Sequence, residues 1–145
     1  MANFIFNVAK GRIAEKVSDG ATLGLLLLKA ADTDAVLRDL DTIADILANA
    51  STTESDFTNY ARATLANVAA TVDDANDDVD VDCDDVLFAS AGGASNNNNV
   101  AAIIFEDVGG ADASRIPLCK FDAVFTTDGN DVTIGIPAGG FYTST

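Results

Sequence analysis

The stretch from Phe57 to Asp85, FTNYARATLANVAATVDDANDDVDVDCDD, decides the fold class, because it holds the clearest period in the chain. From Asp78 to Asp84, carboxylates alternate without a break with Val79, Val81 and Cys83. A strand sends successive side chains to opposite faces, so this segment reads as a half-buried strand whose outer face is all carboxylate. Upstream, Thr64 to Val72 is compatible with a second strand, and the intervening DDAND supplies turn residues. The two are expected to form a β-hairpin.

The same reading extends outward in both directions. NFIFNV at Asn3 to Val8 alternates apolar residues as a short first strand would, with KGR as its turn. Arg12 to Val17 fits either strand or helix, and Thr22 to Leu28 is an unbroken apolar run of strand length, expected as a buried central strand. Thr33 to Ala50 carries Val36, Leu37, Leu40, Ile43, Ala44 and Leu47 at helical spacing, with Thr33 or Asp34 as cap, and predicts one helix. Ser90 to Asn99 reads as a loop open to motion, Val100 to Glu106 as a buried strand, and Ile116 to Thr127 as a longer one. Asp128-Gly129 then predicts a hairpin joining Ala123–Phe125 to Val132–Ile136. The expected fold is therefore mainly β, an antiparallel β-sandwich or open barrel with one inserted helix near residues 33–50. Residues 23–145 form a single β-rich domain in this reading, and residues 1–22 are either an N-terminal docking segment or the first strands.

A length of 145 residues suits one domain. Eight Lys and Arg stand against 23 Asp and Glu, a net charge of −15 that disfavours binding to nucleic acid or to an anionic membrane. The charge is uneven. Residues 1–31 hold Lys10, Arg12, Lys16 and Lys29 against Glu15 and Asp19, a balance of +2, which leaves −17 on the other 114 residues. Histidine is absent, which removes the commonest general base and transition-metal ligand. Cys83 and Cys119 lack metal or redox spacing and are expected as buried thiols rather than a disulfide. Met1 to Val8 has no export signal, and Leu23 to Leu28 is too short to span a membrane, so the chain is expected to stay in the cytoplasm until it assembles.

Three motifs invite a chemical reading. The Asp cluster at 73–85 suggests calcium, but the EF-hand glycine and twelfth-position glutamate are missing, and alternate strand carboxylates lie about 6.5–7 Å apart. A solvated structural face is the leading reading, with Asp80 and Asp82 the only metal candidates. Glycoside hydrolysis would need a cleft lined by aromatic residues, and the sequence, with no Trp, suggests none. SAGGAS at 90–95 lacks the Gly-Lys-Ser/Thr ending of a phosphate loop. No catalytic residues, no enzyme activity and no cofactor are expected.

The succession LLLLKA, LRDLDTIADILA, TESDFTNYARATL, VDDANDDVDVDC, FASAGGASNN, VAAIIFED and TTDGNDVTIGIPAGGFY resembles small structural proteins encoded among the head genes of tailed bacteriophages. The resemblance spans residues 23–142 and rests on the order of short motifs, none of which encodes chemistry. It implies a virion structural protein made in the host cytoplasm, a cement or decoration protein on the capsid exterior. Its partner would be the major capsid protein of the same phage, and it would be a homotrimer. The alternative is a minor tail or head-to-tail adaptor component, and a third reading is a cation-dependent carbohydrate-binding module. The charge split nominates Phe4, Phe6, Lys10, Arg12 and Lys16 as partner-binding residues, since a basic, apolar edge strand could dock on an acidic shell. The plainer reading makes the same segment the first strand of its own sheet.

Overall fold

The computed structural model describes residues 3–9 and 13–144. Its centre is β2 (Leu23–Ala30), in which Leu23 to Leu28 are all buried. A continuous apolar run is what a strand covered on both faces requires. β2 pairs antiparallel with β8 (Asn98–Glu106), from Leu23 opposite Glu106 to Leu28 opposite Ala101. Next comes β9 (Ile116–Thr126), and then the two-residue β1 (Phe4–Ile5) at the edge. On its other side β2 meets β3 (Thr53–Glu54) and β4 (Ala63–Thr64), giving the order β1-β9-β8-β2-β3 with β4 also on β2. Gly24 lies opposite Phe105, and a Cβ there would come 2.5 Å from the ring, so the phenyl group fills the space a side chain would take.

Two smaller antiparallel sheets complete a mainly β, sandwich-like architecture. One joins β7 (Val86–Phe88) to β10 (Val132–Ile134). The other runs β11-β6-β5, from β11 (Tyr142–Ser144) through β6 (Asp78–Asp82) to β5 (Ala69–Asp73). The acidic hairpin expected from the sequence is present as β5 and β6, though its first arm is shorter: the chain breaks after Thr64 and bends at Asn67, which has φ 53°.

Two expectations are corrected. The single helix over 33–50 is two short ones, α2 (Asp34–Leu37) and α3 (Ile43–Ala48), in addition to α1 (Ile13–Ser18). The chain turns after Leu37 and restarts at Thr42, whose Oγ1 accepts the Asp45 N–H at 3.1 Å as an N-cap. Thr33 makes no such side-chain bond. Leu37, Ile43 and Ile46 are still all buried, so a helical period is satisfied in two pieces. Nor do the arms flanking Asp128-Gly129 pair with each other: β9 belongs to the large sheet and β10 to the β7 sheet. The turn is tied elsewhere, Thr127 N–H to Asn97 C=O at 3.0 Å and Gly129 N–H to Ala91 C=O at 2.8 Å. A register shift between Asn99 and Ala101 also bends β9 just before the turn, and the arms diverge.

Candidate functional site

FTNYAR acts as a lock on the large sheet. Between β3 and β4 the edge of β2 has a gap, and Tyr60 fills it: its hydroxyl accepts the Leu27 N–H at 3.0 Å and donates to Glu54 Oε1 at 2.8 Å. Ser55 N–H donates to the Leu27 carbonyl at 2.9 Å, so both polar groups of that residue are satisfied by the same loop. Arg62 then forks onto Glu54 with two bonds of 2.7 Å and reaches Asp112. Arg115 bridges Asp112 and Asp107, both at 2.9 Å, and both guanidinium groups approach the Phe105 ring. Hydrogen bonds from Arg62 above all, and from Arg115, hold the Asp112 carboxyl down at about 2 against the opposing effect of its partial burial.

The loop at Ser90 to Asn99 is held in place on both sides, contrary to the expectation of a free loop. Gly92 N–H donates to Thr58 C=O and Thr58 N–H to Ser95 C=O, while Ala91 N–H reaches Asn130 C=O. Asn97 N–H donates to Thr127 Oγ1 at 2.8 Å. Gly92 has φ +94°, and a Cβ there would sit 2.2 Å from Asn96 Oδ1 and 2.8 Å from Thr127 Oγ1. Only glycine fits that position. The loops of FTNY, SAGGASNN and TTDGN are thereby laced into one hydrogen-bonded cluster.

On the acidic hairpin, Val81 and Cys83 face inward and are buried, while Asp78, Asp80 and Asp82 are half-buried rather than fully solvated, since β6 lies between β5 and β11. Asp73 closes the turn, accepting from Ala75 N–H at 2.9 Å and from Asn76 Nδ2 at 2.7 Å. Asp80 accepts the Thr143 hydroxyl at 2.6 Å. The turn brings Asp73 to Asp78 and Asp80, and one carboxylate oxygen from each lies within 4.8 Å of the others. Strand spacing alone did not anticipate this grouping. Of the two metal candidates, Asp80 is in it and Asp82 is not; Asp82 instead accepts its neighbour's N–H, from Cys83, at 2.8 Å. Burial first, then the charges of Asp80 and Asp73, push the Asp78 carboxyl up.

Of the nominated partner-binding residues, Phe4 and Phe6 lie in the protein's own core, with ring centroids 5.1 Å apart. Phe4 also faces the Arg38 guanidinium at 5.0 Å and the Lys120 ammonium at 5.6 Å. Neither ring is presented outward, because β1 is used as the edge strand of its own sheet. Lys16 is 3.7 Å from Glu106. Lys10 and Arg12 lie outside the described residues. Both cysteines are free and buried; burial pushes the Cys119 thiol up to about 12 and Cys83 to about 11.

The feature sequence reasoning missed is a slot. It consists of two neighbouring hollows of about 510 Å³ and about 270 Å³ whose linings share Phe121, Asp122 and Gly135. The larger lies between β1 and β9 on one side and Gly135, Pro137 and the stretch from Gly140 into β11 on the other; the smaller lies between β9 and β10. Phe121, Phe141 and Tyr142 line the larger part, so an aromatic-walled cleft does exist. Beside it Val124 is 81% exposed, in the half of β9 where burial gives way after Lys120. No family model matches the chain, and neither does any curated protein or solved structure.

Proposed function

We propose that the chain is a virion structural protein, a cement or decoration protein that binds the major capsid protein on the outside of a tailed-phage head and stabilises the shell as a homotrimer. The observation supporting this reading is the use made of the motifs that carry the resemblance. FTNYAR, SAGGASNN and TTDGN meet in one cluster of backbone and side-chain hydrogen bonds, and their polar groups are spent on holding loops and strand edges together. Motifs spent this way suit a load-bearing protein rather than a catalyst.

The test is the protein's place and number on purified particles. Cryo-electron microscopy is expected to find copies spread over the whole head lattice, and particles stripped of the protein are expected to lose heat resistance. A single ring at the portal vertex would favour the adaptor reading, and absence from particles would overturn both.

A further inference from the structure

Two asparagines tie β8 to the segment from Thr52 to Asp56, and the protein pairs only one of them completely. Asn97, just ahead of β8, and Asn99, within it, are two residues apart in extended chain and both buried, so their side chains leave on the same face. Asn97 Oδ1 accepts the Asp56 N–H at 2.8 Å, and its Nδ2 donates to Asp56 Oδ1 at 3.0 Å. Both ends of that amide are used. Asn99, 1% exposed, accepts the Ser55 hydroxyl at Oδ1, while its Nδ2 is shut off from solvent and has no acceptor among the described residues. Turning the amide over would hand the nitrogen to Ser55 and leave the oxygen without a donor, so one end lacks a protein partner in either orientation. Folded proteins meet such buried polar groups with another protein group or with ordered water.

The backbone is irregular at the same level. β2 and β8 pair without a break up to Leu28 opposite Ala101; beyond it β2 shifts register against β3 between Leu28 and Ala30, and β8 shifts against β9 between Asn99 and Ala101. Shifts side by side on neighbouring strands bend both ladders and open space between them. Thr52, Ser55, Asn97, Asn99 and Thr127 are five of the seven buried polar or charged side chains among the described residues, so the interior at this end of the large sheet is hydrogen-bonding rather than apolar.

We propose that Asn99 holds one buried water molecule between β8 and the segment from Thr52 to Asp56. The end that needs a partner is an N–H, which calls for an acceptor and turns away a metal cation. An anion is disfavoured, because Glu54 and Asp56 flank Ser55 in a chain of net charge −15. Water accepts from Nδ2, passes its own hydrogens to oxygens of the surrounding wall, and serves the reversed amide equally by donating to Oδ1. It does for Asn99 what Asp56 does for Asn97, and so completes a second tie between β8 and the segment that leads to Tyr60. The site rests on local geometry and is independent of the capsid reading.

A high-resolution crystal structure of the whole protein is expected to show one ordered water about 2.7–3.2 Å from the Asn99 side-chain amide. In solution, the Asn99 Nδ2 hydrogens of isotope-labelled protein are expected to cross-relax with water with the sign of a long-lived bound molecule. Ser55→Ala removes the hydroxyl that could relay such a signal by exchange, and the signal is expected to persist in the folded variant. Any one of three results would overturn the proposal: no ordered water at the amide, a water signal lost in folded Ser55→Ala protein, or anomalous density at that position in a bromide-soaked crystal, which would make the occupant an anion.

Discussion

Lys120 Nζ lies 3.1 Å from Asp34 Oδ1, joining a strand of the large sheet to a helix 86 residues earlier in the chain. The lysine side chain has no exposed surface, and Asp122 lies 2.8 Å from the same ammonium. Removing both carboxylates takes two counter-charges away from a buried ammonium. Asp34→Ala with Asp122→Ala is therefore expected to cost about 3–5 kcal/mol in urea unfolding, and Lys120→Met considerably less, because methionine keeps the volume without the charge. Equal costs for the two would show that packing, not charge, dominates the site.

Tyr60→Phe tests the lock on β2. The change keeps the ring, stacked on Phe88 and edge-on to Phe57, and removes only the hydroxyl that accepts from Leu27. A buried N–H left without a partner costs about 1–3 kcal/mol, which a shift in denaturation midpoint at constant slope would report. Exchange of the Leu27 amide should quicken before that of its neighbours in β2.

Acid should weaken the fold partly through Asp112. Its carboxyl titrates near 2 in the folded protein, below the ordinary value of 3.8, so its contribution is present above about pH 4 and is lost as pH falls toward 2. Asp112→Asn is expected to be less stable than the parent at pH 7, with the gap closing across that window. Stability curves at pH 7, 4 and 2.5 would measure it.

Asp78 has the opposite sign. Its pKa is raised in the fold, so the charged form opposes folding at neutral pH, and protonation relieves the strain as pH falls through the raised value. Asp78→Asn should raise the melting temperature at pH 7 and leave it unchanged in acid. Val81→Asp, one strand parity away at a fully buried position, should lower it severely. Similar effects of the two at pH 7 would mean that the strand faces are assigned the wrong way round.

Both thiols are buried, and burial raises their pKa, so Cys83 and Cys119 should resist alkylation at pH 8 in the native protein and react on unfolding. Mass spectrometry after a timed iodoacetamide pulse distinguishes this from a labile site.

The parts of the fold legible in the sequence were those governed by local period. LGLLLL, by its length, reads as a covered strand, and the Asp/Val alternation points Val81 and Cys83 inward, as both are found. What escaped depended on distant partners. The Asp-Gly turn signal is local and real, yet Thr127 and Gly129 bond to Asn97 and Ala91, and the arms part. Ser90 to Asn99 has the composition of a free loop, and it is its bonds to distant residues, Thr58, Thr127 and Asn130 among them, that tie it down. The slot follows from that parting of β9 and β10, which is why no motif announced it. The approach of Asp73 to Asp78 and Asp80 was hidden for a related reason, since it is the turn and not the strand that brings the third carboxylate in.

The pairing of β2 with β8 also sets the order in which the chain can fold during synthesis. Leu23 to Leu28 emerge early, but their neighbours at Ala101 to Glu106 follow roughly half the chain later, and Phe4 waits longer still for Lys120. Until then an uncharged, β-prone apolar segment has only the short β3 and β4 beside it, and this is the composition that self-associates between nascent chains. Closure of so many distant pairings places folding at roughly milliseconds to seconds rather than microseconds. The dense negative charge downstream does not shield that segment directly, but it makes neighbouring chains repel one another while the sheet is still incomplete.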